Sequence, residues 1–385
     1  MLAILPRYLL IAFSFLAFGN ITAQGLIEKI TDLLEFNLGP PPTDTAAFRP
    51  KVVVAPFAYF EPNTSFGFGL GAKLLFKPKG AGEDTRTSNI PIGLSYTLKN
   101  QVFFSSAYFV FFPEEKWLYR GNLDYSSFPQ PYYGIGNQTS EADRIDITYN
   151  NFLFEGLLLR QVANQFFVGG GFRYNTFYKT RLENEALELP AGTSLQDSLG
   201  SKSVGLEFAI TRDSRDNVLN PGEGTFAEFT QGFYGRVLDG TNTFQLSRLD
   251  MRKYKQLGSK GLIAGQLFAR YAWNDAPVQE LSQLGGAELM RGFIEGRFRD
   301  RLAVFAQAEY RWRTWERVGF VLFAGTGRVA DGVDDLGIDA LRYSIGTGLR
   351  ILIVKSENLN LRFDYAFGLG ESRDQGFYFG VGETF

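Results

Sequence analysis

From Lys51 to Phe385 the sequence alternates with a period of two, and no other feature limits its fold so tightly. Successive side chains of a strand point to opposite faces, so the alternation assigns each residue to one of two surfaces. Phe66, Phe68, Leu70, Ala72, Leu74 and Phe76 share one face, against Gly67, Gly69, Gly71 and Lys73. Leu302, Val304, Ala306, Ala308, Tyr310 and Trp312 oppose Arg301, Gln307, Glu309, Arg311 and Arg313. Leu341, Tyr343, Ile345, Leu349 and Ile351 oppose Arg342, Ser344, Gly346 and Arg350; Leu359, Leu361, Phe363, Tyr365 and Phe367 oppose Asn358, Asn360, Arg362 and Asp364.

In a soluble sandwich the apolar face lies inside, and strands run to about 5 or 6 residues. Runs of about ten residues or more, with aromatic ends and a polar, glycine-rich second face, instead fit an antiparallel transmembrane β-barrel with lipid outside and a lumen inside. Closure also removes the unpaired edges that lipid would not tolerate. About sixteen candidate strands can be drawn, from 51–60 and 64–77 to 358–369 and 376–385, an even number as such barrels favour. The least regular is 241–255, where the apolar phase slips between Leu246 and Leu249. If the first strand runs outward, the long connections near 127–142, 178–200, 274–300 and 330–339 are external. Short turns such as Pro113–Glu115 and Thr314–Glu316 are then internal, which is the expected asymmetry. The internal turn 78–88 is longer than that rule predicts, as a miscounted strand would make it.

Composition agrees and excludes alternatives. Aromatic residues make up 16% of the chain, with 38 Phe and 18 Tyr against 3 Met, more rings than an aliphatic core requires. With no Cys and no His there is no disulfide framework, no zinc finger, no Cys nucleophile and no Ser-His-Asp triad. A net charge of -2 gives no footprint for nucleic acid. A mean hydropathy of -0.10 does not support a bundle of membrane helices. No paired acid/base constellation has motif support, so the expectation is no enzyme, no cofactor and no metal. The acids of Asp331–Asp339 lack the spacing of a calcium loop and read as solvated surface. The glycine runs Gly67–Gly71 and Gly169–Gly171 are not followed by the Gly-Lys-Ser/Thr of a phosphate loop.

Residues 1–23 carry one Arg, an apolar run from Leu9 to Phe18 and small residues ending at Ala23, the order of a secretory signal peptide cleaved before Gln24. Residues 24–50 follow as a short amphipathic helix and a linker. Leu26, Ile27, Ile30, Leu33 and Leu34 fall on one helical face, and Pro40, Pro41 and Pro42 stop it. Two readings of that segment stand: a plug or membrane-interface helix, or packing ahead of the main domain. Residues 51–385 form the barrel, and the expected location is the bacterial outer membrane.

The chain ends in an amphipathic run with Phe377, Phe379, Val381 and Phe385 on one face. This resembles the C-terminal sorting signal read by the outer-membrane assembly machinery. Leu284–Phe293 (LGGAELMRGF), with Leu284, Gly285, Gly286, Arg291, Gly292 and Phe293, falls between the eleventh and twelfth strands. Thr211–Phe226 carries Asp213, Arg215, Asp216, Pro221 and Gly224 in a D-x-R-D…P…G turn on the periplasmic side. Together the two motifs resemble the BamA/TamA-like outer-membrane assembly factors and their two-partner secretion relatives, the bacterial surface antigen barrels. The resemblance covers essentially residues 51–385.

It implies that the first motif rides on the sixth external loop, folded back into the lumen, where Arg291 meets acidic residues on strands twelve and thirteen. Glu309 sits on the lumen face of strand twelve. On strand thirteen the family's F-x-D-x-G appears as Phe323, Ala324, Gly325, Thr326 and Gly327, so only Glu309 is assigned as partner. Family members also place POTRA modules before the barrel, whereas only residues 24–50 stand there, so a POTRA-less member is expected. The implied role is assembly or translocation of polypeptide or lipid at the outer membrane. Implied partners are outer-membrane lipids, unfolded client polypeptides and a periplasmic partner in place of the POTRA arm. The competing reading is a passive pore or structural barrel that keeps the scaffold without insertase activity.

Overall fold

The computed structural model describes residues 35–37, 49–61, 65–82, 84–182, 200–355, 358–370 and 374–385. The signal peptide and the helical face from Leu26 to Leu34 lie outside the described residues. Just beyond that face, β1 (Glu35–Asn37) is extended and pairs with the start of β2 (Lys51–Glu61). There follow β3 (Ser65–Phe76), β4 (Ser88–Thr97), β5 (Val102–Phe111), β6 (Trp117–Tyr132), β7 (Ile145–Ala163) and β8 (Phe166–Leu182). Next come β9 (Ser201–Asp213), β10 (Gly224–Tyr234), β11 (Phe244–Leu257) and β12 (Gly261–Asn274). Two short strands, β13 (Ser282–Leu284) and β14 (Phe298–Asp300), pair with each other, and Arg299 of β14 also bridges to Gly136. The sheet resumes with β15 (Leu302–Arg313), β16 (Val318–Ala330), β17 (Arg342–Val354), β18 (Leu359–Leu369) and β19 (Gln375–Val381).

The sixteen strands β2–β12 and β15–β19 make one antiparallel sheet in which each pairs with the next in chain order, β12 passing directly to β15. The sheet curls until β19 lies against β2, where the rings of Phe57 and Phe379 stack at 5.8 Å. Among the described residues no register links those two strands, so the barrel is nearly closed, with a seam. No described helix is long and apolar enough to cross a membrane; the crossing is by strands.

Burial follows the alternation. On β9, Leu206, Phe208 and Ile210 are about half exposed on the outside while Glu207, Ala209 and Thr211 are buried inside. All four Trp (Trp117, Trp273, Trp312 and Trp315) are exposed at strand ends or in the adjoining turn, as interfacial anchors. An outer surface this apolar would aggregate in water and is at rest only in lipid.

Three local expectations change. The phase slip in β11 involves no bulge: its ladders to β10 and β12 are regular. Leu246 faces inward, packed near Leu281 of the long loop, whereas Leu249 pairs across the sheet with Ala269 and belongs to the outer face. The inner wall is apolar wherever a loop covers it, so hydropathy alone loses the phase. Among its described residues the long connection between β3 and β4 holds no strand. It carries Arg86, which grips Glu115 of the next turn (2.7 Å) and Asp213 at the end of β9 (2.9 Å). Finally, the last strand stops at Val381. Gly382, at φ 97°, turns the chain inward, and Phe385 is buried against Tyr254 and Ala264 instead of sharing the outer face with Phe377.

Phe208 lies midway along β9 with its ring on the lipid side. Phe208→Arg should therefore cost about 2–4 kcal/mol of stability in vesicles, and Trp273→Arg at the rim only about 0–1 kcal/mol. Urea titration of the folded barrel in lipid measures both, and equal effects would contradict this placement of the membrane.

Candidate lumen site and periplasmic floor

The connection from β12 to β15 turns back into the barrel as a hairpin of β13 and β14. Its tip is shaped by glycine. Gly292 sits at φ 109°, and a Cβ there would lie 2.5 Å from the backbone carbon of Phe367, so only glycine lets the loop lie flat on β18. Its N–H donates to the Tyr378 hydroxyl on β19 at 3.0 Å. Leu284 is fully buried in a cluster with Met290, Phe293, Phe298, Phe305 and Val329. Gly285 and Gly286 close the turn through N–H donation to the carbonyls of Leu289 and Phe293, both at 2.9 Å.

This packing drives Arg291 to the middle of the lumen, where it is 1% exposed. One end of its guanidinium pairs with Glu309 on β15 and the other with Asp364 on β18 at 2.5 Å. The flat face rests 3.6 Å from the centre of the Phe323 ring on β16. On β16 the motif's aspartate position is Gly325, so that strand offers Arg291 only the ring of Phe323, and the second carboxylate comes from β18. Glu309 also holds Arg311 (2.8 Å), and Asp364 also holds Arg350 (2.6 Å). Glu383, in the inward-turned tail, touches both Arg350 (2.8 Å) and Arg311 (3.7 Å). The result is a closed circuit of three guanidiniums and three carboxylates in alternation. Of the other arginines assigned to the lumen face, Arg362 adds to the circuit at 3.7 Å from Asp364. Arg301, Arg313 and Arg342 lie at the rims, bound to Asp331, Asn358 and the Asn137 carbonyl.

A second anchor carries no motif. Glu280, buried at the root of the loop, accepts two hydrogen bonds from Arg173 on β8 (both 3.0 Å), one from Asn175 (2.8 Å) and one from Arg270 (3.3 Å). Burial pushes its carboxyl up, and Arg173 and Arg270 outweigh that and hold it below the usual range. Nothing in the sequence sets Glu280 apart from the other loop acids Asp275, Glu288 and Glu295. On the outer side Arg297 binds Thr139 (2.7 Å), tying the loop to the connection between β6 and β7.

The periplasmic motif forms a floor. Asp213 receives a two-pronged bond from Arg215 (2.8 and 3.0 Å) as well as Arg86. Asp216 accepts the N–H groups of Asn217, Gly222 and Glu223. Gly224, at φ 104°, leaves no room for a Cβ, which would meet the Ser214 carbonyl at 2.2 Å. Pro221 lies beside Asn220, whose amide donates across the mouth to the Asn358 carbonyl at 3.0 Å. Leu219 packs among Val53, Leu75, Ile353, Val354 and Leu359 of the opposite wall. At the seam, Lys73 on β3 reaches past β2 to the Val381 carbonyl (3.2 Å), and Phe379 stacks on Phe57 and meets Phe363 edge-on.

A sixteen-strand barrel with an apolar outer wall, a loop folded into its lumen and a folded floor defines an outer-membrane β-barrel. Residues 68–385 match the Omp85 superfamily domain, and the chain belongs to that superfamily. It is similar in fold to BamA from Haemophilus ducreyi lacking POTRA domains 1–3, with 14% identity and a TM-score of 0.51, covering 86% of this chain and 69% of that one. It is also similar to CdiB from Acinetobacter baumannii, with 13% identity and a TM-score of 0.57. That match covers 86% of this chain and 59% of CdiB. No curated protein sequence matches the chain.

Replacing Arg291 by Met leaves Glu309 and Asp364 buried with one cation too few, and should destabilise the barrel by about 3–5 kcal/mol. The double variant Arg291→Met with Glu309→Gln keeps the circuit neutral and should recover part of that loss. Urea midpoints in vesicles read both; a double variant as weak as the sum of its parts would show that charge balance is not what holds the loop.

Proposed function

We propose that this barrel assembles or translocates polypeptide at the outer membrane by parting its wall at the seam between β2 and β19. The observation that carries this reading is the contrast between two routes. The β13–β14 loop enters the lumen from above and the turn 214–223 crosses it below, each fixed by buried ion pairs. The seam has no ladder among the described residues and is held by ring stacking and side-chain contacts. An extended client would add to the exposed strand edge through backbone hydrogen bonds. A periplasmic partner that delivers such clients belongs to the same proposal, as does transfer of lipid through a parted wall.

The chain has no Cys, so introduced pairs are unambiguous. Cysteines at positions 57 and 379, joined by a short bifunctional crosslinker, should abolish client insertion while the barrel stays folded, and a cleavable linker should restore it on cleavage. Planar-bilayer conductance separates the competing pore reading. The intact barrel should be quiet and should open when residues 284–296 are deleted. Large steady openings of the intact protein, with client insertion indifferent to the crosslink, would establish a passive pore instead.

A further inference from the structure

At the periplasmic mouth, away from the seam, a cavity of about 250 Å³ opens between the floor turn and the ends of β12, β15, β16 and β17. Two arginines of the charge circuit, Arg311 (7% exposed) and Arg350 (4%), line it. Each spends most of its guanidinium on carboxylates and carbonyls, yet Nη1 of Arg311 and Nη2 of Arg350 are buried with no hydrogen-bond partner among the described residues. Those two nitrogens are shut off from the open space, so what the pair presents to the cavity is fixed positive charge held within the circuit.

The rim adds charge. Lys260, Arg313 and Arg317 line the same opening, and their positive charges exceed what the acids nearby can cancel. Of those acids, Glu383 is held by Arg350 and Arg311, and Asp216 receives three N–H groups of its own turn. Lys253 and Lys255 stand exposed on the neighbouring outer face of β11. The other side of the opening is apolar and faces lipid: Trp312 is 48% exposed and Phe320 37%, with Trp315 in the turn between their strands. Tryptophans at this height mark the head-group layer.

We propose that this cavity binds a phosphate group, presented by the head group of an anionic phospholipid of the periplasmic leaflet. Lys260, Arg313 and Arg317 pair with the phosphate oxygens, Arg311 and Arg350 add to the field behind them, and the acyl chains lie over Trp312 and Phe320. The site is independent of the seam and does not rest on the assembly reading.

The test titrates the detergent-solubilised full chain by calorimetry with short-chain phosphatidylglycerol, short-chain phosphatidylcholine and inorganic phosphate. Phosphatidylglycerol should bind saturably and at least tenfold more tightly than phosphatidylcholine. Lys260→Gln, Arg313→Gln and Arg317→Gln should each weaken it about five-fold. Unchanged heat-modifiable migration of each variant on gels shows that the barrel has folded. Inorganic phosphate binding as tightly as the lipid, with the same response to the variants, would uphold the phosphate site and assign it to a free phosphate. Equal binding of the two lipids without phosphate binding, indifference to all three variants, or equal competition by an unphosphorylated acidic peptide would overturn the proposal.

Discussion

The circuit of alternating charges around Arg291 organises the lumen. Its members come from the loop, from β15, β17 and β18, and from the tail after β19, so one buried network fixes parts of the chain far apart in sequence. Such a network adds little net stability over an apolar core, because desolvating six charges offsets most of their attraction. What it supplies is position. A guanidinium shared by Glu309 and Asp364 and stacked on Phe323 has one place to be, whereas an apolar tip could slide along the wall.

The same economy explains the interior. A sixteen-strand barrel is too wide for facing side chains to meet across it, and an empty lumen would leave a water-filled channel. Here the space is taken up from both ends: the loop fills the outer half and the floor turn crosses the periplasmic mouth to pack Leu219 on the opposite wall. Apolar clusters therefore occur inside the barrel wherever a loop meets the wall, and polar pairs occupy the level between them.

That division decides what could be read from the sequence. The sixteen strands were legible because lipid imposes one apolar face on each, and the register between Phe66 and Phe76 or Tyr310 and Trp312 follows directly. The lumen face of Glu309 was legible for the same reason. Asp364 was placed on the lumen face, yet nothing in its neighbourhood says that it reaches Arg291 across 73 residues of chain. Glu280 was invisible, since a loop carboxylate has no periodicity. The inward turn after Val381 was misread because alternation continues through Phe385 while the backbone does not; a glycine at φ 97° breaks the register without disturbing the pattern of residue types.

The loop and the seam are mechanically joined. Gly292 bonds the hydroxyl of Tyr378 on the last strand, Arg291 bonds Asp364 on the strand beside it, and Glu383 of the tail closes the circuit. Among the described residues no ladder joins β19 to β2, so parting them requires little at the seam itself. A displacement of β19 inward or outward, however, pulls on Tyr378 and on the tail that carries Glu383, and so on contacts that seat the loop. An opening that bent β19 alone and left β18 fixed would strain the Tyr378 and Glu383 contacts but keep the pair of Arg291 with Asp364. At seven residues, β19 is the shortest strand of the barrel and ends at a glycine hinge, the arrangement that allows such a bend.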